Sequence, residues 1–208
     1  MAEKAINECV VYTEDFRTRL HGYFSIPAQF TTVLEYANAN DSISLERCRC
    51  YRRHEWEFAI DPDSAKLEGS PPVHISTGAI ALIHGDVRSP TTTSAKTAFL
   101  KSVGSDEIPI FVDCALGPSF STERIHGTVL ARVSKGAQNV ARALDDGLRA
   151  YLQGRPRFVP IRHPTNAILQ KWFASEDWQD RQPPGQQPKT ILLSRRLMSF
   201  YGVRMESE

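Results

Sequence analysis

Residues 73–87 read VHISTGAIALIHGDV, a run of mainly aliphatic residues that is interrupted by Gly78. The run is too long for one short strand, and an isolated glycine inside a strand pattern indicates a bulge or a break. We therefore expect two strand pieces here, or one strand with a bulge at Gly78. The same run contains His74 and His84, which are candidate functional residues.

The rest of the chain mixes strand and helix patterns. Residues 42–51 alternate in polarity and residues 108–116 (IPIFVDCAL) are apolar, so both are predicted strands. Apolar spacing predicts helices at 28–39, about 89–104, 137–153 and 164–174, the last with Thr165 as its cap. Strands and helices do not alternate regularly, and no internal repeat of useful length is visible. The sequence thus predicts an α+β fold, a single domain with a mainly antiparallel mixed sheet and three to four helices.

The last third of the chain changes in composition. Residues 175–189 (SEDWQDRQPPGQQPK) are poor in aliphatic residues and rich in Gln and Pro, which predicts a linker or mobile loop. We expect residues 1–174 to form the core domain. Residues 190–208 are then a C-terminal segment that packs on this core, and their pattern fits a helix or a strand.

Composition limits the function classes. The chain is 41% hydrophobic and 24% charged with a formal net charge of +1, so any basic site must be local. No stretch approaches the roughly 18 apolar residues of a transmembrane helix, and no secretory leader is visible. The four cysteines lack the paired spacing of structural zinc sites. We expect a cytoplasmic protein with reduced thiols, no membrane contact, no metal and no cofactor.

Two histidines share a short pattern, since His74 precedes Ser76 by two residues and His126 precedes Thr128 by two. In a strand, residues i and i+2 point to the same side. Two such pairs on neighbouring strands would supply a general acid, a general base and hydroxyl donors for a phosphate.

Residues 126–132 (HGTVLAR) resemble the second element of the 2H phosphoesterase family. The resemblance implies that His74 and His126 form the acid–base pair, while Ser76 and Thr128 hold phosphate oxygens. The alternative interpretation is that His74, His84 and His126 are strand-end histidines hydrogen-bonded to the backbone. Residues 84–86 (His-Gly-Asp) fit a turn.

The densest charge in the chain is the basic run RCRCYRRH at residues 47–54. Arginines interleaved with an aromatic residue on a sheet can hold a phosphate backbone and stack a base. The candidate nucleic-acid-binding residues are Arg47, Arg49, Tyr51, Arg52 and Arg53, with Arg47, Arg49 and Tyr51 expected on one strand face. The alternative is a solvated sheet face whose arginines pair with neighbouring glutamates.

A second cluster of candidate phosphate contacts is VRSPTTTSAKT at residues 87–97, which contains Arg88 and Lys96. Hydroxyls and a lysine at a helix N-terminus favour an anion, although ordinary helix capping explains the same pattern. Further arginines, which either flank the same surface or are plain surface charges, are Arg155, Arg157, Arg162, Arg195 and Arg196.

Three functions remain open from the sequence. The leading one is a module that binds nucleic acid (RNA or DNA) or another phosphate-rich ligand, either alone or as a subunit of a larger assembly. The second is a metal-independent phosphoesterase that acts on RNA ends or cyclic phosphates. The third is a protein-interaction component without phosphate chemistry, which would dock through the aromatic residues Trp172, Phe173 and Trp178 and through the C-terminal segment.

Overall fold

A computed structural model describes most of the chain. The described residues are 6–13, 15–27, 29–30, 32–54, 57–62, 71–85, 105–116, 122–134, 139–175 and 188–204. The helix predicted at residues 89–104 and most of the predicted linker lie outside these ranges.

In the part of the chain that the structure describes, eleven strands form one antiparallel sheet. They are β1 (Ile6–Thr13), β2 (Thr18–Ser25), β3 (Ser42–His54), β4 (Glu57–Ile60), β5 (Val73–Ser76), β6 (Ile80–Gly85), β7 (Ser105–Ala115), β8 (Thr122–Arg132), β9 (Phe158–Thr165), β10 (Thr190–Ser194) and β11 (Met198–Val203). The strand order is β11-β7-β8-β9-β10-β6-β1-β2-β3-β4, and β5 also pairs with β3. Within the described ranges there are three α-helices, α1 (Val33–Ala39), α2 (Val140–Gln153) and α3 (Ala167–Ala174).

The predicted α+β class is confirmed in outline, but the sheet dominates the structure. The run at residues 73–87 contains two strands, β5 and β6, joined by a one-turn 3-10 helix at Thr77–Ala79. The C-terminal segment, whose pattern fitted either type of element, also contains two strands, β10 and β11, joined by a 3-10 helix at Arg195–Leu197. We call these two short helices corner 1 and corner 2.

The fold consists of two halves that share a five-strand topology, with β4 added in the first half and α3 in the second. In the first half the strand order is β6-β1-β2-β3-β5, with α1 between β2 and β3 along the chain. In the second half it is β11-β7-β8-β9-β10, with α2 between β8 and β9. Each half ends in a strand, a corner and a strand. The halves join where β6 of the first pairs with β10 of the second.

Strand register shows that the correspondence holds residue by residue. Residues 19–22 (RLHG) on β2 and residues 124–127 (RIHG) on β8 occupy equivalent positions. Gly22 and Gly127 each lie opposite a bulge in the next strand. Each bulge contains a non-glycine residue at positive φ, Arg47 and His163, both at 49°.

The glycines are required because the bulged strand comes close to them. A Cβ atom on Gly22 would lie 3.0 Å from the carbonyl oxygen of Glu46, and one on Gly127 would lie 2.8 Å from that of Arg162. The expectation of no internal repeat is therefore wrong at the level of structure. A search at a fixed period misses the repeat because its connections differ in length: α1 has 7 residues and α2 has 14.

The sheet is buried on both faces at its centre. Along β1, Val10 and Tyr12 face one hydrophobic cluster, whereas Cys9 and Val11 face the other. This follows from the alternation of side chains along a strand. The centre of the sheet therefore supplies side chains to two hydrophobic clusters, one on each face.

Helix ends differ from the predicted ones by a few residues. The helix expected at 28–39 begins at Val33, where the Thr32 side chain accepts a hydrogen bond from the Glu35 N–H. The cap of α3 is Asn166 rather than Thr165, because Thr165 is still part of β9. In the part of the chain that the structure describes, no helix is long and apolar enough to cross a membrane.

Candidate phosphate-binding site

The two corners lie beside each other where the halves meet. The guanidinium of Arg196 in corner 2 donates a hydrogen bond to the carbonyl oxygen of Gly78 in corner 1. Each corner is also fixed to its own half. The Thr77 N–H donates to the Asp41 carbonyl at 2.8 Å, and the Arg195 N–H donates to the Arg157 carbonyl at 2.9 Å. These two bonds are equivalent, because Asp41 precedes β3 and Arg157 precedes β9.

A pocket of about 660 Å³ opens at this junction. It is lined by Asp41, Ser76, Thr77, Gly78, Arg155, Pro156, Arg157, Ser194, Arg195, Arg196, Met198 and Tyr201. The lining contains four arginines, one carboxylate and three hydroxyl side chains besides Tyr201. Residues from both halves contribute, so the pocket exists only in the assembled sheet.

Two of the four arginines hold the junction together. Arg157 forms an ion pair with Asp41 at 2.6 Å and donates to the carbonyl oxygen of Asn40 at 2.7 Å. It also donates to the Thr77 hydroxyl at 2.9 Å. Arg196 is bound to Gly78 as described above. The charge of Arg157 is thus compensated by the one carboxylate in the pocket.

Arg155 and Arg195 differ from Arg157 and Arg196 in their contacts. Neither guanidinium has an ion pair or a hydrogen bond to any residue in the described ranges. Arg155 is exposed and has φ of 50°, a conformation that disfavours residues with a Cβ atom. Two uncompensated cations, neighbouring hydroxyls and backbone groups form an arrangement that favours an anion with several acceptor oxygens.

The sheet does not bring the two predicted catalytic histidines onto neighbouring strands. His74 is exposed on β5, where its Nδ1 lies 2.7 Å from the Ser44 hydroxyl. His126 lies on β8, between β7 and β9. Neither His126 Nδ1 nor the Thr128 hydroxyl has a hydrogen-bond partner among the residues described. Ser76 accepts a hydrogen bond from the Gly78 N–H at 3.3 Å and lines the pocket.

His84 is a packing residue rather than part of a turn. It lies within β6, its side chain is fully buried, and its ring stacks on Tyr12 with centroids 6.0 Å apart. Its ring also meets Phe173 edge to face at 4.7 Å. The turn expected at residues 84–86 is wrong for His84 and Gly85, which continue the strand, and Asp86 lies outside the described residues.

The bulge in β3 divides the basic run of residues 47–54. After the bulge at Arg47, Cys48 and Cys50 face the core, and Tyr51 is only 5% exposed. The ring of Tyr51 instead contacts the Arg19 guanidinium, 4.3 Å from its centroid. Tyr51 is therefore not accessible for stacking on a base, and the bulge separates Arg47 from the face that Arg49 and Tyr51 share.

The arginines of this run have contacts of their own. Arg52 donates to Asp61 at 2.8 Å and to the Thr18 hydroxyl at 3.1 Å. Arg53 donates to the carbonyl oxygen of Leu116 at 3.3 Å. Arg47 is exposed and its guanidinium lies 6.0 Å from the Tyr23 ring centroid, while Arg49 is half-buried opposite His21.

The remaining candidates are either undescribed or buried. Arg88 and Lys96 lie outside the described residues, as does Trp178. Trp172 is 1% exposed and Phe173 is 3% exposed, so these two aromatic residues belong to the core and not to a docking surface. No group of three or more His, Cys, Asp or Glu side chains in the described ranges is arranged to hold a metal ion.

The sequence alone identifies Arg155 and Arg195 only as charges that flank a binding surface or as plain surface charges. The signal that could have identified their site is the strand–corner–strand pattern, since Ser76 and Ser194 precede the two corners at equivalent positions. Comparison of the chain with protein-family models, with curated proteins and with solved structures found no match. Function is therefore inferred from this geometry alone.

Proposed function

We propose that this protein is a binding module for a phosphate-bearing ligand, held in the pocket between corner 1 and corner 2. The observation that carries the proposal is the pair of uncompensated arginines, Arg155 and Arg195, in a pocket that also contains the Ser76 hydroxyl. Arginine binds phosphate oxygens through charge-assisted hydrogen bonds that are about twice as strong as neutral ones.

The charge distribution supports a local site. The whole chain has a net charge of only +1, so the protein has no general attraction for polyanions. In the pocket, Asp41 compensates Arg157, which leaves the charges of Arg155 and Arg195 in excess. A ligand with one or two phosphate groups fits this excess.

The basic run of β3 is an auxiliary part of the proposal. In this proposal a longer nucleic acid also contacts Arg47, Arg49, Arg52 and Arg53, which lie further along β3 than the pocket. Because Arg52 and Arg53 already have protein partners, we expect these contacts to add less affinity than the pocket does. The location of His74 and His126 on separated strands gives no support to catalysis by that pair.

Binding of fluorescein-labelled single-stranded RNA, measured by anisotropy over a range of salt concentrations with inorganic phosphate as competitor, tests the proposal. The Arg155→Ala/Arg195→Ala variant should bind at least about tenfold more weakly. The log–log slope of its affinity against salt concentration should fall by about 0.7 for each phosphate that the variant no longer binds.

The matched control is Arg142→Ala/Arg149→Ala, which removes the same charge from the exposed face of α2, where both arginines pair with aspartates. It should bind as the unmodified protein does. Equal losses in the two variants would show that only overall charge matters, and would overturn the pocket as the site. The Arg47/Arg49/Arg52/Arg53→Ala variant measures the auxiliary surface separately.

A further inference from the structure

One wall of the pocket is a strand edge. Strand β11 pairs with β7 on one side, and within the described ranges no strand pairs with its other side. Tyr201 of this strand lines the pocket, and both Phe200 and Tyr201 are exposed, at 70% and 40%. An unpaired edge presents a row of backbone donors and acceptors that can pair with another strand.

In the first half of the fold, the strand equivalent to β11 is paired on both sides. Strand β6, which is equivalent to β11, pairs with β1 on one side and with β10 on the other. The register on the β1 side fixes the correspondence, since Ile83 lies opposite Val11 and Tyr201 lies opposite Val112. On β6 the occupying residue opposite Ile83 is Leu192. The edge of β11 around Tyr201 is thus equivalent to the edge of β6 that pairs with β10.

The hydrogen-bond pattern identifies which backbone groups face the pocket. The Arg204 N–H donates to the Pro109 carbonyl at 2.8 Å, in the same register as the β7–β11 pairs. In an antiparallel pair, hydrogen-bonded and non-hydrogen-bonded positions alternate. Residues 200 and 202 therefore bond to β7, while the N–H and C=O groups of Tyr201 and Val203 point to the open side.

A strand edge and uncompensated arginines in one pocket combine two modes of peptide recognition. Strand addition supplies backbone hydrogen bonds, and clustered arginines recognise a phosphorylated side chain. We infer that the phosphate-bearing ligand of the proposed function is an extended phosphorylated peptide segment of a partner protein. It pairs with β11 around Tyr201 and places its phosphate against Arg155 and Arg195.

A nucleic acid has the phosphate but no strand backbone, so a change at the β11 edge separates the two ligands. The probe is a labelled short Val/Thr-rich peptide with one central phosphoserine, compared with its unphosphorylated form and with single-stranded RNA. Tyr201→Pro removes the N–H that faces the pocket, and proline is tolerated on an edge strand. Tyr201→Val removes only the aromatic ring and retains the N–H.

The phosphopeptide should bind and the unphosphorylated peptide should bind at least about tenfold more weakly. Tyr201→Pro should weaken phosphopeptide binding about fivefold to tenfold more than Tyr201→Val does, which is the loss expected for one backbone hydrogen bond. A phosphopeptide methylated on its backbone nitrogens should also bind weakly, and this result does not depend on folding of any variant.

The failures are distinguishable. RNA binding that depends on Arg155 and Arg195, without phosphopeptide binding, would overturn the peptide inference and leave the phosphate site standing. Equal affinities of Tyr201→Pro and Tyr201→Val for the phosphopeptide, with no effect of backbone methylation, would overturn strand pairing. If neither probe binds, the peptide inference and the proposed function both fail.

Discussion

Asp41 and Arg157 occupy equivalent positions in the two halves of the fold and form an ion pair with each other at 2.6 Å. Each residue precedes the third strand of its half, and each carbonyl accepts the N–H of a corner residue. Equivalent positions thus carry opposite charges in the two halves, and these charges pair with each other at the pocket. A chain with two identical halves could not form this ion pair.

The Arg157→Ala variant should lower the free energy of unfolding by about 1–2 kcal/mol, because it removes hydrogen bonds to Asn40 and Thr77 as well as the ion pair. The Asp41→Asn variant should cost less than about 0.5 kcal/mol, since the Asp41 side chain is 93% exposed and water screens the pair. Urea unfolding of both variants checks this. Equal costs would show that the ion pair itself holds the halves together.

Gly127→Ala should destabilise the protein by about 2 kcal/mol or more, because the new Cβ would lie 2.4 Å from Ile161 Cγ2 and 2.8 Å from the Arg162 carbonyl oxygen. Gly78→Ala is the control, since its new Cβ would have no neighbour closer than 3.4 Å. We expect that control to stay within about 0.5 kcal/mol of the unmodified protein in thermal or urea unfolding. A tolerated Gly127→Ala would contradict the close approach of β9.

Arg155→Gly should separate stability from binding. Glycine adopts positive φ without a steric penalty, so this variant should be as stable as the unmodified protein or about 0.5 kcal/mol more stable. Its affinity for the phosphate probes should nevertheless fall. Arg149→Gly, in the middle of α2, is the opposite control: it should cost about 1 kcal/mol and leave binding unchanged. Lower stability of Arg155→Gly would show that the side chain has a structural role.

All four cysteines should be unreactive in the folded protein. Burial is the main cause that raises the pKa of Cys9, and it raises those of Cys48 and Cys114 to about 12. Burial also raises the pKa of Cys50. Because the thiolate is the reactive form, a thiol reagent at pH 8 should label the native protein slowly and the urea-unfolded protein completely. Rapid labelling of one cysteine before unfolding would identify a part of the fold that opens.

Strand positions were predictable because a period of two is visible in a short window of sequence. The pairing of those strands was not, because β6 finds β10 more than a hundred residues away and no local pattern specifies that partner. The repeat was hidden for a related reason. The repeat is recognised because Gly22 and Gly127 lie opposite equivalent bulges. These bulges can be located only when the register of the neighbouring strands is known.

The sequence predicted arginines as the candidate binding residues, but not the position where the structure brings arginines together in a pocket. A basic, phosphate-binding surface was expected, and charge density alone directed attention to the run at residues 47–54. That run is divided by the bulge at Arg47 and has protein partners for Arg52 and Arg53. Arg155 and Arg195 are far apart in sequence and come together only because corner 2 docks beside the residues that precede β9.

Arg19 and Arg124 are equivalent residues whose environments differ, so the same substitution should have different effects. Arg19 is 1% exposed, and its guanidinium lies 4.3 Å from the Tyr51 ring centroid and 5.0 Å from that of Phe58. It also donates to the Ser175 hydroxyl at 3.2 Å, at the C-terminal end of α3. Arg124 is half exposed and binds Asp113 through two hydrogen bonds, which lower the pKa of that carboxyl.

Arg19→Lys should therefore lower the free energy of unfolding by about 2–3 kcal/mol, because an ammonium group cannot stack between the two rings and its burial is not compensated. Arg124→Lys should have a much smaller effect, as expected for an exposed ion pair. Urea unfolding at neutral pH measures both. Arg124 also contacts an aromatic ring, that of Phe111 at 4.5 Å, so the two positions differ mainly in burial. Similar costs would therefore mean that burial of the Arg19 charge is compensated in another way.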